Sequence, residues 1–133
     1  MSISRQLAEY AVDLTYDKIP DEVRRETKRF LLDSLACAMG AFEHEPSRIA
    51  REVAREFNGP AESTIFGETS KVSWSNATIA NETMIRFWDF NDTYHYVKKP
   101  GDLGAGHPSD SFAAVLALGE RQQASGKQAI EAI

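Results

Sequence analysis

The chain has 133 residues, of which 42% are hydrophobic and 26% are charged, a balance typical of one globular domain rather than a disordered chain. A formal net charge of −5 offers no broad positive field, so nucleic acid is not expected as a partner. With one cysteine, no apolar leader and no run of roughly 18 apolar residues, we expect a cytoplasmic protein with no internal disulfide and no membrane partner.

The first 42 residues are predicted to form two helices. The first begins after Ser2 or Ser4, and spacings of three and four residues predict one buried face. That face comprises Leu7, Tyr10, Ala11 and Leu14. Pro20 at a first helical position, followed by two acids, predicts the second helix. Its core positions are Val23, Thr27, Phe30, Leu31, Leu35 and Ala38. From Phe30 to Phe42 it is apolar on nearly all sides, so more than one neighbour must cover it.

The middle of the chain predicts two further helices around a small hairpin. Pro46 begins the third helix, which Asn58-Gly-Pro ends. Its predicted buried stripe comprises Ile49, Val53 and Phe57. The segments 63–66 and 71–73 predict a small β-hairpin. Ser75 is the predicted cap of the fourth helix, and the core side of that helix follows a helical period. Its core residues are Ala77, Ala80, Met84, Phe87 and Trp88.

A long irregular loop is predicted after the fourth helix, from Asp89 to the segment 106–110. Loops of this length in a compact domain are usually functional. Ser109 or Asp110 is the predicted cap of a fifth helix, 112–124, which is apolar almost all round. A sixth pattern after Ser125 is too short to be stable without packing. We expect a missing segment or a partner chain to complete the burial of these helices.

One polar cluster has catalytic potential, and it falls in the predicted loop. Its members are Asp89, Asp92, Thr93, His95 and His107. Carboxylates act as bases or position a hydroxyl, and a histidine shuttles protons near neutral pH. The same pattern also fits a purely structural alternative. In that alternative Asp89 or Asp92 caps the loop and Ser109 caps the next helix.

The acids and histidines of this cluster are also potential metal ligands. The segment from Asp89 begins like a calcium loop, but Tyr94 stands where that loop needs glycine, and the closing Glu is missing. The spacing of Asp89, Asp92, His95 and His107 matches no standard zinc signature. We therefore expect no metal, and a metal-binding domain remains an alternative.

Other reactive side chains have simpler interpretations. His44 lies between two glutamates before Pro46 and is interpreted as a solvated turn residue. Cys37 is interpreted as a small core residue. Lys98 and Lys99 are interpreted as exposed loop lysines, with attraction of a carboxylated substrate as the alternative.

Five segments, in order, carry a resemblance to a known family. They are Arg29-Phe-Leu-Leu-Asp-Ser-Leu-Ala-Cys-Ala-Met-Gly, Ser63-Thr-Ile-Phe-Gly, Ala80-Asn-Glu-Thr, Asp89-Phe-Asn-Asp-Thr and Gly106-His-Pro-Ser-Asp. Together they resemble the N-terminal half of MmgE/PrpD proteins over essentially the whole chain. This family includes 2-methylcitrate dehydratases and cis-aconitate decarboxylases, which act on small polycarboxylic acids without an iron–sulfur cluster.

The resemblance implies a mainly α fold. Residues 1–133 would form the N-terminal segment of the bundle-like helical domain of this family, with one small β-hairpin. The α/β lid domain and the C-terminal helices would be absent. The resemblance also implies a small polycarboxylic acid as substrate, no cofactor, and a second copy or a complementary chain as partner.

The resemblance implies roles for four residues of the cluster. By position in the motifs, Asp89 and His107 would be catalytic, and Thr93 would bind a substrate carboxylate or hydroxyl. Asp92, in the same motif, is also expected to bind substrate. Asn91 is more typical of the dehydratases than of the decarboxylases. Family enzymes are much longer and draw further catalytic groups from later segments, so we expect little activity from this chain alone. A non-catalytic helical interaction module is the alternative.

Overall fold

The computed structural model describes residues 2–89, 92–99 and 102–133. Within these ranges the chain is mainly helical, with six α-helices and two small antiparallel sheets, so the predicted fold class is confirmed. None of the described helices is both long enough and apolar enough to cross a bilayer. The helices are α1 (Ile3–Asp13), α2 (Asp21–Ala41), α3 (Glu45–Glu56), α4 (Trp74–Arg86), α5 (Phe112–Arg121) and α6 (Gly126–Ala132). The strands are β1 (Ser63–Thr64), β2 (Lys71–Val72), β3 (Tyr94–Lys99) and β4 (Asp102–Gly106).

Helix α4 is the centre of the core, and α2, α3 and α5 pack against it. Its fully buried side includes Ala77, Ala80 and Met84, as the helical period predicts. Alanines on the facing helices, such as Ala38 and Ala113, allow the backbones to approach closely. The core is therefore built from small residues, with a few large side chains filling the spaces between helices.

Serine side chains begin three of the helices. Ser2 accepts a hydrogen bond from the backbone N–H of Arg5, and Ser125 forms a capping box with Gln128. The start of α4 differs from the prediction, because Ser73 rather than Ser75 is the cap. Ser73 is extended and its side chain accepts from the N–H of Asn76. The helix therefore begins earlier than the apolar pattern indicates.

The predicted hairpin between α3 and α4 is confirmed as the antiparallel pair β1 and β2. Buried polar contacts attach it to the core helices. The Ser63 hydroxyl donates to the carbonyl of Ala117 at 2.6 Å. The Asn81 side chain accepts from the N–H of Phe66 at 2.8 Å and donates to the carbonyl of Thr64 at 3.1 Å. The hairpin is therefore fixed to both α4 and α5.

The predicted buried stripe of α3 is wrong, because Ile49, Val53 and Phe57 are exposed. The buried residues of this helix are Ser47, Arg51 and Ala54. Small Ser and Ala side chains let α3 approach α4 closely. The Arg51 guanidinium donates to the Phe42 carbonyl at 3.0 Å and pairs with Glu68 at 3.1 Å. Because its guanidinium is paired in this way, an arginine is tolerated at a buried position of α3.

The predicted buried face of α1 is also wrong, because this helix has no buried residue. Leu7 and Tyr10 are 62% and 66% exposed. The amphipathic pattern gives the helix an apolar face, but no described element covers it. This face borders an open groove of about 800 Å³ between α1, α2 and the segment after Ala129.

The segment after α4 is not the irregular loop predicted. Strands β3 and β4 pair antiparallel, with Tyr94 opposite Gly106 and a register shift between Val97 and Lys99. Aromatic and β-branched residues favour such a ribbon, a propensity that the loop prediction overlooked. Glycine at position 106 leaves room for the Tyr94 ring, because a Cβ there would lie 2.6 Å from the ring and the ring would have to shift. The hairpin brings residues 92–93 beside residues 106–109.

Candidate functional site

Three of the predicted site residues meet where the β3–β4 hairpin closes. The Nδ1 atom of His107 lies 2.7 Å from the carbonyl oxygen of Asp92 and 3.3 Å from the hydroxyl of Thr93. A carbonyl can only accept, so Nδ1 donates its proton to Asp92. In the neutral ring Nε2 is then the acceptor. This arrangement gives His107 a defined tautomer, with one nitrogen free to take a proton.

Asp92 holds this segment in place. Its carboxylate is buried and accepts from the backbone N–H of Ser109, with N–O distances of 3.1 Å and 3.3 Å. A 3₁₀ turn, Pro108–Ser111, follows and leads into α5. The predicted cap of α5 by Ser109 or Asp110 is therefore wrong, since both residues lie within that turn and Ser111 occupies the cap position. The Ser111 hydroxyl does not cap the helix and instead donates to the carbonyl of Pro108 at 3.2 Å. Ser109 instead is fully buried.

Asp89 lies at the end of α4 in a left-handed backbone conformation, with φ +52°. Asp tolerates this region better than most residues. Its side chain is 81% exposed and its Oδ1 lies 3.3 Å from Nη2 of Arg86. The Nε of Arg86 lies 3.4 Å from Oδ1 of Asp110. Arg86 therefore links Asp89 to the turn that follows His107.

His95 is the remaining member of the predicted polar cluster. His95 is exposed on β3 opposite Ala105. Across the described parts of the chain, no three His, Cys, Asp or Glu side chains are arranged to hold a metal ion. Asn91 and the side chains of Lys98 and Lys99 lie outside the described residues, so their predictions are not addressed by the structure.

Glu82 is a candidate that the sequence reasoning missed. It is the sole acid of α4, one helical turn before Arg86, and its Oε2 is buried without a hydrogen-bond partner. Burial, reinforced by the charges of Asp110 and Asp92 and opposed by Arg86, raises the pKa of Glu82 to about 7. The available signal was its place in the segment Ala80-Asn-Glu-Thr, where an acid interrupts an apolar helix face.

His44 is not the solvated turn residue predicted. Its ring stacks on Phe87 at 4.5 Å between centroids and meets Trp88 edge-on at 4.7 Å. This contact holds the end of α4 immediately before Asp89. The Phe87 ring packs against the core as predicted, while Trp88 is 37% exposed.

Cys37 is buried as predicted, and burial raises the pKa of its thiol, as expected for an unreactive core cysteine.

The open groove of about 800 Å³ is distant from this chemistry, because its lining comes from α1, α2 and the C-terminal residues 130–133. A smaller groove of about 390 Å³ extends from α2 to Pro108, next to His107. The candidate site is therefore recognised by its polar geometry and not by cavity size.

Comparison with known proteins assigns nearly the whole chain to one family. Residues 5–133 match the MmgE/PrpD N-terminal domain. The chain belongs to the MmgE/PrpD family. The human (Homo sapiens) cis-aconitate decarboxylase is 28% identical over 128 residues, which are 95% of this chain and 25% of that protein.

A second relative carries a different name. The mitochondrial 2-methylcitrate dehydratase of Yarrowia lipolytica (strain CLIB 122 / E 150) is 29% identical over 133 residues, which are 97% of this chain and 24% of that protein. The MmgE/PrpD chain described here therefore spans about a quarter of the length of these curated relatives. One relative is named for a dehydration and the other for a decarboxylation.

Proposed function

We propose that this chain is the N-terminal segment of a lyase resembling 2-methylcitrate dehydratase. The enzyme would eliminate water from a small tricarboxylic acid by acid–base catalysis. The observation that carries the proposal is the hydrogen bond from Nδ1 of His107 to the Asp92 carbonyl, which leaves Nε2 as a proton acceptor. This histidine belongs to a chain whose family includes a named dehydratase.

Each residue of the site has a chemical role in this proposal. His107 takes or gives a proton at Nε2, and Asp89 provides a carboxylate at the end of α4. The Thr93 hydroxyl, 3.3 Å from the imidazole, binds a carboxylate or hydroxyl of the substrate. The oxygens of Asp92 already accept from Ser109, so Asp92 serves the site chiefly by holding residues 107–109 against residues 92–93.

An elimination needs a base and an acid held on either side of the breaking bond. The described residues provide one face of such a site. Because the chain spans about a quarter of its relatives, we propose that the remaining groups come from the rest of the enzyme or from a partner chain. A homodimer or a complementary chain would also cover the exposed apolar faces of α1 and α3.

Two further candidates have specific support. A cis-aconitate decarboxylase-like activity is supported by the similarity to the human enzyme of that name. A non-catalytic helical interaction module is supported by the exposed side chains Leu7, Ile49 and Phe57. The first shares the catalytic residues of the main proposal and differs in the bond that breaks. The second requires none of them.

The test is turnover by an assembly in which residues 1–133 are joined by the remaining segments of the enzyme. Water loss from 2-methylcitrate is followed by the absorbance of the unsaturated product, and carbon dioxide release from cis-aconitate is followed in parallel. Water loss supports a dehydratase, whereas carbon dioxide release supports a decarboxylase and contradicts the dehydratase proposal. A folded assembly that does neither, yet still forms a defined complex, favours the interaction module.

A further inference from the structure

Glu82 has a carboxyl oxygen that is buried in the protein without a polar partner. Its Oε2 is buried and has no hydrogen-bond partner. The adjacent Asn81, by contrast, binds Phe66 at 2.8 Å and Thr64 at 3.1 Å. An unpaired buried carboxylate is far more costly than an unpaired buried amide or hydroxyl, so the uncharged acid is favoured at this position.

The charges around Glu82 come from three elements. Asp110 lies in the 3₁₀ turn, Asp92 precedes β3, and Arg86 is one turn further along α4. Burial and the two aspartates together outweigh the arginine, so the pKa of Glu82 rises to about 7. The other titratable groups buried on helices that pack against α4 are the Cys37 thiol on α2 and the Arg51 guanidinium on α3. Arg51 is paired with Glu68.

Arg86 connects Glu82 to the candidate site. Its contacts to Asp89 and Asp110, at 3.3 Å and 3.4 Å, are longer than the 2.7–2.9 Å typical of strong charge-assisted bonds. Both aspartates are mostly exposed, so each of these ion pairs is weak. Glu82 lies four residues before Arg86, the favourable order for a glutamate and a cation on one helix.

We propose that Glu82 is a positioning residue that acts on Asp89 through Arg86. While Glu82 is uncharged, the guanidinium of Arg86 contacts Asp89 and Asp110. When the proton passes to water, the carboxylate draws the guanidinium back along α4 and releases Asp89. A carboxylate without a neighbouring cation is a stronger base. The effect on turnover rests on the proposed function, whereas the link between Glu82, Arg86 and Asp89 does not.

The link is tested first by NMR on the 133-residue chain, with no substrate. The carboxyl carbon of Glu82 and the Nε–H group of Arg86 are followed from acid to mildly alkaline pH. Both should titrate with a midpoint at about 7. In Glu82→Gln the Arg86 response should disappear, while responses caused by histidines remain in both proteins. An ordinary glutamate midpoint near 4.3, or an Arg86 response unchanged by the substitution, overturns the proposal.

The effect on the site is tested in the active assembly by the ratio of kcat/KM of wild type to that of Glu82→Gln. Ionisations that the charge of Glu82 does not affect cancel in this ratio. It should be near one at pH 5.5 and increase about tenfold by pH 8.5, with its midpoint at the Glu82 pKa. A ratio that stays constant with pH overturns the positioning role. If no substrate is turned over but Glu82 and Arg86 still titrate together, the proposed function fails and the link stands.

Discussion

At the residue scale, His107 and Asp89 differ in how firmly they are held. His107 is bound by a backbone carbonyl and a hydroxyl, whereas Asp89 is exposed and contacts Arg86. In the complete assembly, His107→Gln and Asp89→Asn should each lower kcat/KM about a hundredfold or more, the usual scale for positioned acid–base groups. Thr93→Val should raise KM more than it alters thermal stability.

The control for these substitutions has to lie away from the site. His44 is unsuitable, because its ring stacks on Phe87 beside Asp89. Arg48 is exposed on α3, and Arg48→Gln should change neither kcat/KM nor stability. Full activity in folded Asp89 and His107 variants would show that these residues only shape the turn.

Asp92 has a structural effect that is separable from its predicted contact with substrate. Asp92→Ala removes the acceptor of the buried Ser109 N–H and should lower the free energy of unfolding by about 1–2 kcal/mol. Urea denaturation of the chain measures this. The exposed Asp110 is the matched comparison, and Asp110→Ala should cost less than about 0.5 kcal/mol. Equal stability of the two variants would show that the Asp92 contact contributes little.

At the scale of elements, Glu68 connects the β1–β2 turn to α3. Burial alone would raise the pKa of Glu68, but hydrogen bonds and charges from Arg55, Ser70 and Arg51 lower it overall. A folded state with a lowered pKa binds the proton less tightly than the unfolded state. Its stabilising effect is therefore present above the ordinary Glu range and is lost as pH falls through the folded pKa.

Glu68→Gln should accordingly lower the free energy of unfolding by about 1–3 kcal/mol at pH 7, because Arg51 stays buried without its counter-charge. The difference from wild type should shrink as pH falls below about 4. Chemical denaturation across this range provides the measurement, with the exposed Glu56→Gln as control. A pH-independent difference would mean that packing, not charge, connects the turn to α3.

At the scale of the whole molecule, the described chain leaves apolar side chains uncovered on several helices. Leu32 on α2 is 70% exposed and Val12 on α1 is 83% exposed. We expect the isolated chain to self-associate and to bind a hydrophobic dye, because such surface is normally covered. Sedimentation velocity and dye fluorescence test this, and Val53→Glu on the exposed face of α3 should reduce association. A monomer that binds no dye would contradict the expectation.

The sequence alone was sufficient for the order of the six described helices and for the first hairpin, although the start of α4 and the cap of α5 differ from the prediction. These follow from local signals, such as capping serines, prolines and the helical period, which act over a few residues. The sequence was not sufficient to predict which helix faces are buried. Apolar periodicity predicts that a face will be covered but not that a cover is present, so α1 and α3 were expected to bury stripes that are exposed.

Only the tertiary structure decided which polar groups meet. The pairing of Tyr94 with Gly106 brings Asp92 to Ser109 and His107 to Thr93, across separations of 17 and 14 residues. No local propensity specifies a contact at such a distance. The raised pKa of Glu82 likewise depends on burial by the packed chain, reinforced by the charges of Asp110 and Asp92 from other elements. Local chemistry therefore determined the helices and the motifs of this chain, while long-range packing decided the tautomer of His107 and the raised pKa of Glu82.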